Sequence, residues 1–129
     1  MNIYDTVIFD LGRVLVTVEA ERGLFGLCGQ RLQSDDGDML QQIISDPMIK
    51  RHNCGMVSSL ELYEHINSML GQAMDFAEFR GRWCDLFSAI DEMGRFLLWL
   101  QGRVRLGLLS DTDPLHWEHI QNTIDYLKV

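Results

Sequence analysis

Val7-Ile8-Phe9-Asp10-Leu11-Gly12-Arg13-Val14-Leu15-Val16 is the segment from which the fold of this chain is read. Val7 to Phe9 are β-branched or aromatic and continuously apolar, which fits a strand buried on both faces of a parallel sheet better than a half-exposed one. Asp10 ends the run. Open α/β sheets place their chemistry at the carboxyl ends of their strands, and Gly12 lets the backbone turn and a ligand come close. Asp10 therefore reads as a fixed, aimable nucleophile. Taking up a phosphoryl group as an aspartyl-phosphate would divide one hard hydrolysis into two easier steps.

Only six residues precede Val7, with no basic-then-apolar leader, and no apolar run approaches the ~20 residues of a membrane span. The expected location is the cytoplasm. A length of 129 residues gives one domain, or a small core plus an insert, and 47% hydrophobic residues argue for a globular chain. Nineteen acidic residues against 11 basic ones, a formal charge of −8, disfavour nucleic-acid phosphates and anionic membranes as partners. Any phosphorylated substrate would then need a local cation. Cys28, Cys54 and Cys84 are far apart and form no C-x-x-C, so reduced, buried thiols are expected rather than a zinc site or a disulfide.

From about Val18 to about Ile90 the spacing turns helical. Gly23, Gly26 and Gly29 weaken the first helix. Ser34 to Asp38 reads as a loop before a short amphipathic helix at Met39–Ile44, and Asp46-Pro47 is a start signal with Pro at the first helical position. Ser58 with Glu61 makes a capping box, with Val57 and Leu62 placed as its hydrophobic staple, and Asp75 with Glu78 repeats the arrangement. These predict helices from about Ser59 to Leu70 and from about Phe76 to Ser88. Phe76, Phe79, Trp83, Leu86 and Phe87 give the latter one apolar face, a helix-bundle core rather than a substrate-facing aromatic wall. Asp91 is placed to cap a further helix through Phe96–Leu100 that stops at Gly102, Arg103 to Leu109 is a second strand, and Asp113-Pro114 starts a last helix.

Phe9-Asp10-Leu11-Gly12-Arg13-Val14-Leu15 resembles the first motif of haloacid dehalogenase-like (HAD) hydrolases, in the subgroup reading F-D-L-G-x-V-L. Leu106-Gly107-Leu108-Leu109-Ser110-Asp111-Thr112 resembles that family's second motif, a hydrophobic strand ending in Ser or Thr. The two stand in the family's order, separated by a helix-rich insert of the length an inserted cap needs, and together span nearly the whole chain. The resemblance implies an α/β fold: a partial Rossmann-like parallel core, residues 1–16 and 91–129, with an inserted helical cap, 17–90, mostly helical by residue count. It implies a Mg²⁺-dependent hydrolase, most simply a phosphomonoesterase of a small phosphorylated metabolite. Asp10 would be nucleophile and metal ligand, the Gly12 carbonyl a second metal ligand, and Ser110 a donor to a phosphoryl oxygen. Asp111 would face the same pocket. Arg13, beside the nucleophile, reads either as a phosphate contact or as a solvated surface arginine.

Two departures from the family pattern stand out. Gly12 occupies the place of the general-acid aspartate of most family phosphatases, so proton donation must come from elsewhere or the leaving group must be acidic, as an anomeric hydroxyl is. The later lysine and acidic pair are also absent: Lys50 lies in the insert, and Lys128 is not followed by proline. A shortened form of a longer hydrolase is expected. The competing reading is a catalytically silent remnant acting as a helical interaction module or as a homo-oligomer joined through an exposed sheet edge. His116 and His119 read as an exposed or hydrogen-bonded helix pair rather than a zinc site, and His52 and His65 carry no motif.

Overall fold

The computed structural model describes residues 3–28, 36–71 and 74–128. Among these residues, four short strands and seven helices follow in the order β1 (Thr6–Phe9), β2 (Val16–Val18), α1 (Ala20–Cys28), α2 (Asp36–Ile44), α3 (Pro47–Asn53), α4 (Ser59–Leu70), α5 (Phe76–Cys84), β3 (Phe87–Ala89), α6 (Asp91–Leu100), β4 (Arg105–Leu108) and α7 (Pro114–Thr123). A 3₁₀ turn at Asp125–Leu127 follows. β1 pairs with β4 in parallel, and β2 with β3 antiparallel. The protein is thus α/β with a parallel pair and mostly helical, as expected. None of the described helices is long and apolar enough to cross a membrane.

Contacts divide the chain into two compact units. One holds residues 1–18, 87–111 and 120–129, and the other residues 19–86 and 112–119.

The first unit contains both sheets and α6. Parallel partners share a face, so Val7, Phe9, Leu106 and Leu108 lie on one side and Thr6, Ile8, Arg105 and Gly107 on the other. Phe9 meets Phe96 of α6 edge to face, 6.3 Å between ring centroids, which covers the first side at Phe9 while Leu106 and Leu108 stay exposed. The second side is open, and Ile8 is 65% exposed. The reading of β1 as buried on both faces is therefore corrected: its apolar run is that of an interior strand, but only one side meets a helix. Leu11, Leu15, Val16, Leu100, Ile120 and Ile124 are the buried apolar residues of this unit. The expected cap at Asp91 is corrected: Asp91 is the first residue of α6, and Ile90 occupies its N-cap with no side-chain bond there. α6 ends where Gln101 turns extended (φ −56°, ψ 129°), and Gly102, φ +76°, is not the helix stop itself but the left-handed corner of the type II turn that follows, closed by the Arg103 N–H on the Leu100 carbonyl at 2.9 Å.

In the second unit the starts of α3, α4 and α5 are those the sequence signals. Asp46 caps α3 by accepting from the Met48 N–H at 2.8 Å. Ser58 and Glu61 form both bonds of the capping box on α4. Asp75 caps α5 through the Glu78 N–H, but the Glu78 carboxylate turns to Arg82 one turn on, so that box is only half made. α2 begins at Asp36 rather than Met39, carrying Asp36 to Asp38 from the expected loop into the helix. Ser34, Asp35 and Gly29 lie outside the described residues.

The largest difference concerns residues 85–89. α5 stops at Cys84 because Asp85 adopts φ −77°, ψ 60°, and the Leu86 N–H reaches back to the Cys84 carbonyl at 2.8 Å, an inverse γ-turn. Phe87 to Ala89 then leave the helix face and pair with Val16–Val18. The core of this unit gathers Leu27, Ile43, Leu62, Ile66, Phe79 and Trp83. Phe79 and Trp83 stack at 5.5 Å, so the aromatic row is interior packing. Truncating Phe79, which is fully buried, to Ala should destabilise the helical unit by about 3–5 kcal/mol. Urea unfolding monitored by tryptophan fluorescence would show it as a lower midpoint, whereas an unchanged midpoint would contradict this packing.

Candidate functional site

The register of β1 and β4 sets the site. Phe9 stands opposite Leu108, and the Leu109 N–H donates to the Phe9 carbonyl at 2.9 Å, so the ladder continues to the point where both strands end. Asp10 and Ser110 therefore leave the same end of the same parallel pair. That is the carboxyl edge, where open sheets present ligand-binding loops. Asp10 is exposed and Ser110 half-buried, with Asp111 exposed beside it.

Beyond Asp10 the chain folds into a tight loop. One Asp10 carboxylate oxygen accepts the Leu11 N–H at 2.7 Å, fixing the side chain against its own backbone. The Leu11 carbonyl accepts from Val14, Leu15 and Val16, and the Arg13 N–H donates to the Val16 carbonyl at 2.7 Å. Arg13 is the one described residue other than glycine with positive φ, +62°. A left-handed backbone costs an L-residue about 1–2 kcal/mol, so the surrounding bonds must hold it there. The Arg13 side chain is exposed.

The oxygen chemistry of Asp10 and of the Gly12 carbonyl suits a hard cation such as Mg²⁺, and the Gly12 carbonyl accepts none of the loop bonds just described. Among the described residues, however, no three acidic, histidine or cysteine side chains gather around a common point. Asp10 and the Gly12 carbonyl would supply two oxygens to such a cation and not a complete ligand set.

A second polar cluster belongs to the helical unit. The Asp113 carboxylate caps α7 by accepting the His116 N–H at 2.9 Å, and its other oxygen meets His116 Nδ1 at 2.7 Å. His116 Nε2 lies 3.2 Å from the Trp83 carbonyl, and the His116 ring stacks on Trp83. Burial would raise the Asp113 carboxyl, but the bond and charge of His116, with its backbone N–H and His52, outweigh it and hold the group below the ordinary carboxylate value. The reading of His116 as a hydrogen-bonded helix residue holds.

His52, which no motif singled out, is 1% exposed. Its Nε2 pairs with Ser59 Oγ at 3.1 Å, while its Nδ1 is buried and without a hydrogen bond. Burial pushes its pKa below the ordinary value, with Asp113 opposing and His116 adding to the fall. His65 pairs with Asp46 at 2.9 Å. None of the three cysteines forms a disulfide, but Cys54 is exposed rather than buried, at the end of α3. Burial drives the Cys84 thiol up to about 12, which removes it as a nucleophile at neutral pH.

The β2–β3 ribbon and the part played by Tyr126 lie beyond the sequence reading. The alternation Val14, Val16, Val18 around Leu15 and Thr17 was a usable strand signal. Nothing local marks Tyr126, whose hydroxyl reaches a residue 111 positions away.

No family model and no curated protein matches the sequence. Solved structures do. A HAD family enzyme from Bacteroides thetaiotaomicron, in complex with magnesium and inorganic phosphate, aligns with a TM-score of 0.78 at 19% identity over 93% of this chain and 59% of its own. Another structure of that enzyme gives 0.77 at 21% identity, covering 95% of this chain and 60% of that one. A predicted HAD-like family hydrolase from Porphyromonas gingivalis gives 0.70 at 19%, covering 91% and 56%. The chain therefore has the fold of HAD enzymes and spans under two thirds of the length of these relatives.

The buried imidazole of His52 gives a pH prediction. Its folded pKa is depressed, so below about 6.5 the unfolded chain takes up a proton that the folded one refuses, and stability is lost as pH falls. Asp113, also depressed, contributes stability above about pH 4 that is lost only at lower pH. Unfolding followed from pH 7.5 to 5 should show the first loss, and His52→Gln should reduce it, leaving the share of His119, whose pKa burial also lowers. A wild-type profile flat over that range would contradict a neutral, buried His52.

Proposed function

We propose that this chain is part of a HAD-type phosphomonoesterase acting on a small phosphorylated metabolite, with Asp10 as nucleophile and Ser110 as phosphate ligand. The observation that carries the reading is the parallel register of β1 and β4, from whose common end both residues depart. The HAD fold and the two sequence motifs support it. In the first step an Asp10 carboxylate oxygen attacks phosphorus, an acyl-phosphate bond forms, and the ester P–O bond breaks with the electron pair leaving on the alcohol oxygen. Water then attacks phosphorus, releasing inorganic phosphate and restoring the carboxylate. The Ser110 hydroxyl donates to a non-bridging oxygen as charge builds there, and Asp111 and Arg13, close in sequence to Ser110 and Asp10, are assigned to the same phosphate site.

With Gly12 where a general acid would stand, the alcohol must leave largely unaided, which favours acidic leaving groups such as anomeric hydroxyls. Mg²⁺ is assigned to Asp10 and Gly12 by resemblance, and this chain supplies those two oxygens. The helical unit takes the role of the cap, selecting the substrate. Cytoplasmic location fits the same reading.

A second reading has its own observation. Leu109 is 75% exposed and Leu98 68%, in addition to Ile8 on the open side of β1, so much apolar surface stands uncovered on the first unit. It favours a silent interaction module or a homo-oligomer. Turnover of p-nitrophenyl phosphate with Mg²⁺ separates the two. The wild-type chain should release phosphate, Asp10→Asn should abolish release, and Ser110→Ala should lower it by about 10²-fold. Equal background release from wild type and Asp10→Asn would remove the enzyme reading for this chain, and light scattering would then decide between monomer and oligomer.

A further inference from the structure

The antiparallel ribbon of β2 and β3 ends in an unusual way. Val16 pairs with Ala89 and Val18 with Phe87, and the Glu19 N–H donates to the Leu86 carbonyl at 2.8 Å. Hydrogen-bonded pairs recur at every second position of such a ladder, so Glu19–Leu86 sets the parity, and Leu15 opposite Ile90 is the next bonded pair beyond Thr17–Ser88. At that pair a side chain stands in for the direct bond. The Ile90 N–H donates to the Tyr126 hydroxyl at 2.8 Å, and that hydroxyl donates to the Leu15 carbonyl at 2.6 Å.

The hydroxyl thus acts as an inserted rung, with both of its roles used in one direction. It satisfies a donor and an acceptor that would otherwise be left half-buried, each costing about 1–3 kcal/mol if unpaired. It also holds the two strands one oxygen farther apart where they leave the ribbon. The Tyr126 ring is seated on Gly94 of α6, where an added Cβ would stand 2.7 Å from the ring and force it away.

We propose that Tyr126 is a positioning residue for the candidate site: by gripping the Leu15 carbonyl it fixes the closing end of the loop that begins at Asp10. The loop is short and internally bonded, with Leu11 accepting from three amides and Arg13 held in a left-handed conformation by Val16. A shift at Leu15 is therefore passed directly to Gly12 and Arg13. None of the loop's own bonds fixes Leu15 to α6, and the tyrosine supplies that tie. Its consequence for catalysis rests on the phosphatase reading, while its consequence for loop geometry does not.

Two variants test the proposal. Tyr126→Phe removes the hydroxyl and keeps the ring on Gly94, and Gly94→Ala displaces the ring while leaving the hydroxyl in the sequence. Backbone amide shifts and hydrogen exchange should change at Gly12, Arg13, Leu15, Val16 and Ile90 in both variants, with amides of the helical unit unmoved. Turnover of p-nitrophenyl phosphate should fall about 10- to 100-fold in kcat with KM unchanged, the pattern of misplaced reacting groups. Unaltered amides at Gly12 and Arg13, or changes spread evenly over the chain, would overturn the proposal. So would an equal loss in kcat and gain in KM. If wild type releases no more phosphate than Asp10→Asn, the phosphatase reading has failed, and the amide data alone decide the positioning claim.

Discussion

The parallel pairing of Thr6–Phe9 with Arg105–Leu108 holds the candidate site together. Asp10 and Ser110 are 100 residues apart in the chain, and no local interaction joins them. What brings them to one place is a ladder of backbone bonds whose register is set by which apolar residues face α6. A slip of one residue would turn Phe9 away from Phe96 and bring Ile8 onto the helix instead, so the Phe9–Phe96 contact is what makes the register specific.

Around that ladder the chain uses its polar groups for precision. Asp10 is held by its neighbour's N–H, Leu11 takes three amides, Arg13 is kept left-handed, and Tyr126 closes the ribbon with its hydroxyl. The helical unit is stabilised differently, by a core of large apolar side chains and by caps at the helix starts. In the same unit Asp113 meets His116 at 2.7 Å, and both act electrostatically on the buried His52. The open side of β1, by contrast, leaves Ile8 exposed beside Thr6, Arg105 and Gly107, where a parallel sheet ordinarily buries both faces.

How much of this was legible in the sequence follows from the range of each interaction. Caps are local: Asp46, Ser58, Asp75 and Asp113 were each readable from one to three residues, and each accepts the backbone bond expected of it. β1 and β4 were readable because each is a short apolar run closed by a polar residue, Asp10 in one and Ser110 in the other, as strands of a parallel sheet are. The misses were non-local. Phe87 fits the apolar face of α5 by spacing as well as it fits a strand, and only its pairing with Val18 decides. His52 and Tyr126 carry no motif, because what defines them is burial beside Ser59 and a hydroxyl filling a gap between Leu15 and Ile90. β1 misled in the other direction: its composition is that of a fully covered strand, while one of its faces has no partner among the described residues.

Nuclear Overhauser contacts between backbone protons measure the β1–β4 register without reference to activity. Contacts linking Leu109 to Phe9 and Asp10, with Leu108 opposite Phe9, are expected. Contacts placing Leu106 opposite Phe9 would be incompatible with the site, since a two-residue slip moves Ser110 about 7 Å along the sheet from Asp10 and leaves the two without a common end.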